Sequence, residues 1–120
     1  MNESNDTSGI LPQLMRVIED RKATRPAHSY TTRLLKGGAS QIGAKILEEA
    51  VEMVKAAEAA TAAGRADSEK RRHFVREAAD LVYHMLVMLA FCDVPLAEVE
   101  AELARRFGTS GLDEKAGRRK

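Results

Sequence analysis

The sequence has no tryptophan, two tyrosines and three phenylalanines, so aromatic residues make up only 4% of its 120 positions. Ala and Leu are plentiful, Val and Ile are scattered, and no period-two alternation occurs, which favours helices over sheets. A single cysteine, Cys92, excludes an intramolecular disulfide framework and any multi-cysteine zinc site, and fits a reduced, cytoplasmic location. An excess of charge of either sign is also missing: 19 Lys and Arg stand against 18 Asp and Glu, for a net charge of +1. Without a global basic field, bulk nucleic-acid binding is not expected, and any anion site must be local. No apolar run reaches the roughly 18 residues of a membrane span. Met1–Ser8 is polar and lacks an apolar signal core, so export is not expected either. The remaining composition, 44% hydrophobic and 31% charged, reads as one globular domain.

The few prolines and glycines divide the chain into helices. Ser8 is a candidate cap for a first helix whose stripe is Leu11, Leu14, Met15 and Ile18, with Pro12 tolerated in its first turn and Pro26 stopping it by about Thr24. Ser29 is expected to cap a short second helix, Tyr30 to Lys36, which Gly37-Gly38 ends. A third helix runs from Ser40 to about Ala63, and Gly64 terminates it. Polar residues 64–70 read as the turn of a helical hairpin leading into a fourth helix, about Ser68 to Phe91. After the break at Asp93-Val94-Pro95, Leu96, Val99 and Leu103 mark a fifth helix that Gly108 closes.

The expected fold class is therefore all-α: a hairpin-based bundle of about five helices, residues 10–108, between a flexible N-terminus (1–9) and a basic tail (109–120). The stripe Phe74, Ala78, Leu81, Val82, Met85 and Leu89 is expected to face the third helix's Ile46, Ala50, Met53, Val54 and Ala57. Leu86, Val87 and Ala90 then form a surplus apolar face, which a symmetric homodimer would bury.

At ~100° per residue, Lys45, Glu48, Glu49 and Glu52 occupy a sector beside the apolar stripe of the third helix, with Glu49 and Glu52 nearest the apolar edge. On the fourth helix Glu77 and Asp80 meet at i, i+3, and His73 and His84 extend the same face. In an antiparallel hairpin Glu49 and Glu52 can oppose Glu77 and Asp80. Four acids at a core edge demand protonation or a cation. A hard divalent ion suits an all-oxygen donor set, Mg²⁺ first, with Mn²⁺ able to substitute. A ferritin-like di-metal site needs Glu-x-x-His; here the pair is Glu-x-x-Asp and His84 is at the wrong offset. The plainer alternative is a solvated acidic face on a non-catalytic interaction module.

The segments Glu48-Glu49-Ala50-Val51-Glu52 and Glu77-Ala78-Ala79-Asp80 match the paired motif EExxE…ExxD of the all-α, MazG-like nucleotide pyrophosphohydrolases. More narrowly the chain resembles the phosphoribosyl-ATP pyrophosphohydrolase family of histidine biosynthesis. The supporting segments are Ser29-Tyr30-Thr31, Leu34-Leu35-Lys36-Gly37, Ile42-Gly43-Ala44-Lys45, the run from Glu77 to Tyr83-His84, and the stretch from Arg106 to Lys115. Two features depart from the family pattern: a longer connection between Glu52 and Glu77, and Gly38-Ala39 where a more charged stretch is expected. Family members fused to a phosphoribosyl-AMP cyclohydrolase need several cysteines for its zinc; this chain has one, so that step belongs elsewhere.

The resemblance implies hydrolysis of 1-(5-phosphoribosyl)-ATP between its α- and β-phosphates by a homodimer whose site draws on both subunits. Mg²⁺ on Glu49, Glu52, Glu77 and Asp80 would serve that reaction, with Glu48 as the candidate to accept the proton of the attacking water or to touch a second ion. Lys45, Arg33, Lys36 and His84 are the candidate substrate contacts, and the basic tail is a candidate cover for the polyphosphate. His73 is assigned no role. A house-cleaning nucleoside triphosphate pyrophosphohydrolase of the same superfamily is the rival enzyme.

Overall fold

The computed structural model describes residues 9–108. The expectations for Met1–Ser8 and for the basic tail, 109–120, lie outside them. The element order is α1 (Ile10–Thr24), α2 (Tyr30–Ala63), α3 (Ser68–Phe91) and α4 (Leu96–Phe107), with no strand among the described residues.

Helix ends follow the local chemistry. The N-cap position of α1 falls on Gly9 and carries no side-chain bond, so the cap expected at Ser8 is displaced by one residue. Pro12 sits in the first turn, where a backbone N–H has no helical acceptor to lose. Ser29 caps α2 as expected, its Oγ accepting the Thr32 N–H at 3.2 Å. Asp67 does the same for α3, accepting from Lys70 N at 3.0 Å. Gly64 closes α2 at φ 87°.

The two helices expected at 30–36 and 40–63 are both present among the described residues, as the two arms of α2 that meet at a sharp kink where the break was expected. The bend is at Gly38, with φ 77° and ψ −175°, a region that essentially only glycine occupies. Its consequence is large. A straight helix rising ~1.5 Å per residue would put Tyr30 about 22 Å from Lys45. Instead Tyr30 comes close enough to Lys45, Glu48 and Glu49 to share their electrostatic field.

α2 and α3 form the antiparallel hairpin, and α1 packs across both. The core joins Met15 and Ile18 of α1, Leu34, Leu35 and Ile42 of α2, and Leu86, Val87 and Ala90 of α3. Lys22 ties α1 to the end of α3, its ammonium donating to the Ala90 carbonyl at 2.7 Å and pairing with Asp93.

This core corrects the sequence expectation for α3. Leu86, Val87 and Ala90 are not surplus surface but the centre of the chain's core, while Met85 and Val54, assigned to the hairpin core, are about half exposed. The reason is the bend: α1 and the first arm of α2 pack on the second half of α3 and select its Leu86–Val87–Ala90 face. No single helix among the described residues is long and apolar enough to cross a membrane.

Candidate active site

The hairpin brings three of the five motif acids together. One carboxylate oxygen each from Glu49, Glu77 and Asp80 lie within 4.8 Å of one another. Glu49 comes from the second arm of α2, and Glu77 and Asp80 come from adjacent turns of α3. Glu49 and Glu77 are partly buried, and Asp80 is exposed. Burial, the hydrogen bond to Glu77, and the charges of Asp80 and Glu77 push the Glu49 carboxyl above its ordinary range, with His84 pulling weakly the other way. Like charges this close are relieved by a proton or by a cation.

Glu52 and Glu48 lie outside that group, and both are exposed. Glu52 is one turn further along α2 toward the connecting turn. Glu48 pairs with Lys45 at 3.3 Å. Lys45, one turn before both Glu48 and Glu49, takes Glu48 at i, i+3. That bond, then the neighbouring Tyr30 and Glu49, raises the Lys45 ammonium above its ordinary range.

The first arm of α2 supplies the other end of the site. The Tyr30 hydroxyl lies 2.8 Å from His84 Nε2, and His84 Nδ1 lies 2.8 Å from the Asp80 carbonyl oxygen. A carbonyl only accepts, so Nδ1 carries the proton, and in the neutral imidazole Nε2 accepts from the Tyr30 hydroxyl. His84 is 5% exposed and thus braces the backbone that carries Asp80. Burial, then Tyr83, Glu49 and Glu48, raise the Tyr30 phenol against the opposing pull of Lys45, which keeps it a hydroxyl donor. Tyr83 stacks beside Tyr30 with centroids 6.3 Å apart and pairs with the Thr31 hydroxyl. The Arg33 guanidinium lies 5.6 Å from the centre of the Tyr30 ring. Lys36 is exposed on the same arm.

The Tyr30–His84 and Thr31–Tyr83 pairs have no signal in helical spacing, because their partners are more than 50 residues apart. His73 approaches Glu77, with Nδ1 3.8 Å from Oε2, although no role was assigned to it; its angular position on the acid face was the available signal.

An all-α hairpin with facing carboxylates, an aromatic ledge and nearby cations defines the class: a protein of the MazG-like, all-α pyrophosphohydrolase kind. Residues 11–107 match the family described as phosphoribosyl-ATP pyrophosphohydrolase. A phosphoribosyl-ATP pyrophosphatase of Rhodopirellula baltica is 51% identical over 108 residues, covering 90% of this chain and 85% of that protein. Its namesake in Paramagnetospirillum magneticum is 49% identical over 94% of this chain and 95% of the relative. That of Geobacter metallireducens is 44% identical over 100% and 99%. The chain belongs to the phosphoribosyl-ATP pyrophosphohydrolase family, as the Ser29-Tyr30-Thr31 and Tyr83-His84 segments, beside the broader acid motif, implied.

Proposed function

We propose that this chain hydrolyses 1-(5-phosphoribosyl)-ATP to 1-(5-phosphoribosyl)-AMP and pyrophosphate in histidine biosynthesis, in the cytoplasm. The observation that carries the reading is the convergence of Glu49, Glu77 and Asp80 within 4.8 Å. Three like charges with only hard oxygen donors fit Mg²⁺, or Mn²⁺ in its place. Glu49, Glu77 and Asp80 are its proposed holders, with Glu52, one turn along α2, as the fourth. When bound, the ion neutralises phosphate charge and makes a coordinated water more acidic.

The protein's own groups do the rest. Glu48 accepts the proton of the attacking water, and its partner Lys45 keeps a positive charge beside the phosphates. Tyr30, braced by His84, and Tyr83 offer ring faces to the adenine. Arg33 and Lys36, on the same arm, meet the 5′-phosphate. The deciding experiment is pyrophosphate release with Mg²⁺ from phosphoribosyl-ATP and from common nucleoside triphosphates, with Glu52→Gln as control. Fast release from phosphoribosyl-ATP alone, lost in the variant, is the expected result. Release only from another nucleotide would sink the histidine-pathway assignment, and no release at all would return the acids to a solvated face.

We also propose a homodimer. Leu47, Val51 and Val54 repeat at i, i+4, i+7 on the side of α2 turned away from Glu49, and are 70%, 53% and 52% exposed. Such a stripe wants a second apolar surface. Sedimentation at micromolar concentration is expected to give twice the chain mass, and a strictly monomeric species would contradict the dimer.

A further inference from the structure

The strip between α2 and α3 continues past the carboxylates toward the connecting turn. There it opens into a recess of about 290 Å³ lined by Ala59, Glu69, Lys70, His73 and Arg76. On the α2 side the wall is Ala59, whose side chain is a single methyl group and leaves the space open. The recess adjoins the acid cluster directly, since His73 Nδ1 lies 3.8 Å from Glu77 Oε2 and Glu77 is one of the three converging acids. Along α3, Lys70, His73, Glu77, Asp80 and His84 follow at three- and four-residue spacing, so they share one face.

The two ends of this strip differ in chemistry. One end carries the rings of Tyr30 and Tyr83 and the His84 imidazole. The other carries no aromatic ring; two permanent cations, Lys70 and Arg76, stand there against one acid, Glu69. Among the described residues neither cation makes an ion pair. Unpaired cations beside three carboxylates are positioned for a dense anion that touches both.

We propose that this recess takes the leaving pyrophosphate, so that the nucleotide lies along the hairpin. Its adenine and phosphoribosyl end faces Tyr30 and Tyr83, and its β- and γ-phosphates face Lys70 and Arg76. The inference rests on the pyrophosphohydrolase reading above and adds a direction to it. In the reaction a water oxygen bonds to the α-phosphorus and its proton goes to the base. The bond from the α-phosphorus to the bridging oxygen breaks, and its electron pair leaves with the pyrophosphate. Negative charge therefore grows on the side where Lys70 and Arg76 stand, which is where fixed cations help most.

The test is calorimetric titration of the full chain with inorganic pyrophosphate in Mg²⁺ buffer, comparing wild type, the Lys70→Ala/Arg76→Ala double variant and the charge-preserving Lys70→Arg/Arg76→Lys. Alanine is the best helix former, so the exposed positions keep the fold. At least about tenfold weaker binding in the alanine variant, recovered in the charge-preserving one, is the expected result. Pyrophosphate binding within twofold of wild type in the alanine variant, or none by wild type, overturns the recess. Phosphoribosyl-ATP turnover, measured separately, decides the reading it rests on. A chain that cleaves the nucleotide yet binds pyrophosphate equally with and without the two cations loses this inference alone.

Discussion

Glu77→Gln should lower pyrophosphate release from phosphoribosyl-ATP by a factor on the order of 10³, equivalent to about 4 kcal/mol of lost transition-state stabilisation. Glu77 stands at the centre of the site: its carboxylate converges with those of Glu49 and Asp80 and faces His73. The amide keeps its shape and removes its charge, so the loss should fall on turnover while the metal-free fold is unharmed. Activity near wild type would remove Glu77 from the reaction.

The same cluster makes a pH prediction for the metal-free protein. The Glu49 carboxyl is raised above its ordinary 4.5 by burial, by Glu77 and by the neighbouring charges. The folded chain therefore holds that proton more tightly than the unfolded chain. Its contribution favours folding most below about pH 4.5 and declines as pH rises through the raised value. In EDTA, denaturant unfolding of wild type should lose stability across that window, and Glu49→Gln should remove this part of the slope. At neutral pH the variant should be the more stable of the two. A steeper slope in the variant would contradict the like-charge account, which is also the physical reason a cation belongs there.

The second large effect is on stability. Ile42 is 0% exposed and lies just beyond the Gly38 bend, in the cluster that joins Leu34 and Leu35 of the first arm to Leu86, Val87 and Ala90 of α3. Ile42→Ala should cost about 2–5 kcal/mol, from lost burial plus the cavity left between elements that cannot all collapse on it. Urea unfolding measures it. A loss below about 1 kcal/mol would mean that the two arms of α2 are not held together at this point.

Much of the molecule was legible in the chain. Ser29, Gly64 and Gly108 stand at helix ends because capping is local chemistry, decided by a residue and its nearest few neighbours. The acid face was legible because i, i+3 and i, i+4 spacing alone puts Glu77 beside Asp80 and Glu49 beside Lys45 and Glu52. The choice of core face on α3 was not. Helical periodicity finds two apolar stripes there and favours the longer one, with Val82, Met85 and Leu89, over Leu86–Val87–Ala90, which packing makes the core. Nor does spacing reveal that Tyr30 meets His84, since that contact depends on the turn the backbone takes at Gly38.

The sequence by itself thus determined the all-α class, the helix limits to within a residue or two, the shared face of the carboxylates and the family. Each of these is a property of residues within a few turns of one another, or of a motif. Tertiary structure decided what those faces meet. It chose Leu86, Val87 and Ala90 as the core, brought Glu49, Glu77 and Asp80 together while leaving Glu48 and Glu52 outside, and folded Tyr30 back onto His84. The reason is that one non-helical residue, Gly38 at φ 77°, redirects the whole first arm of α2. Which surface a redirected arm covers depends on packing across dozens of residues, which helical spacing does not carry.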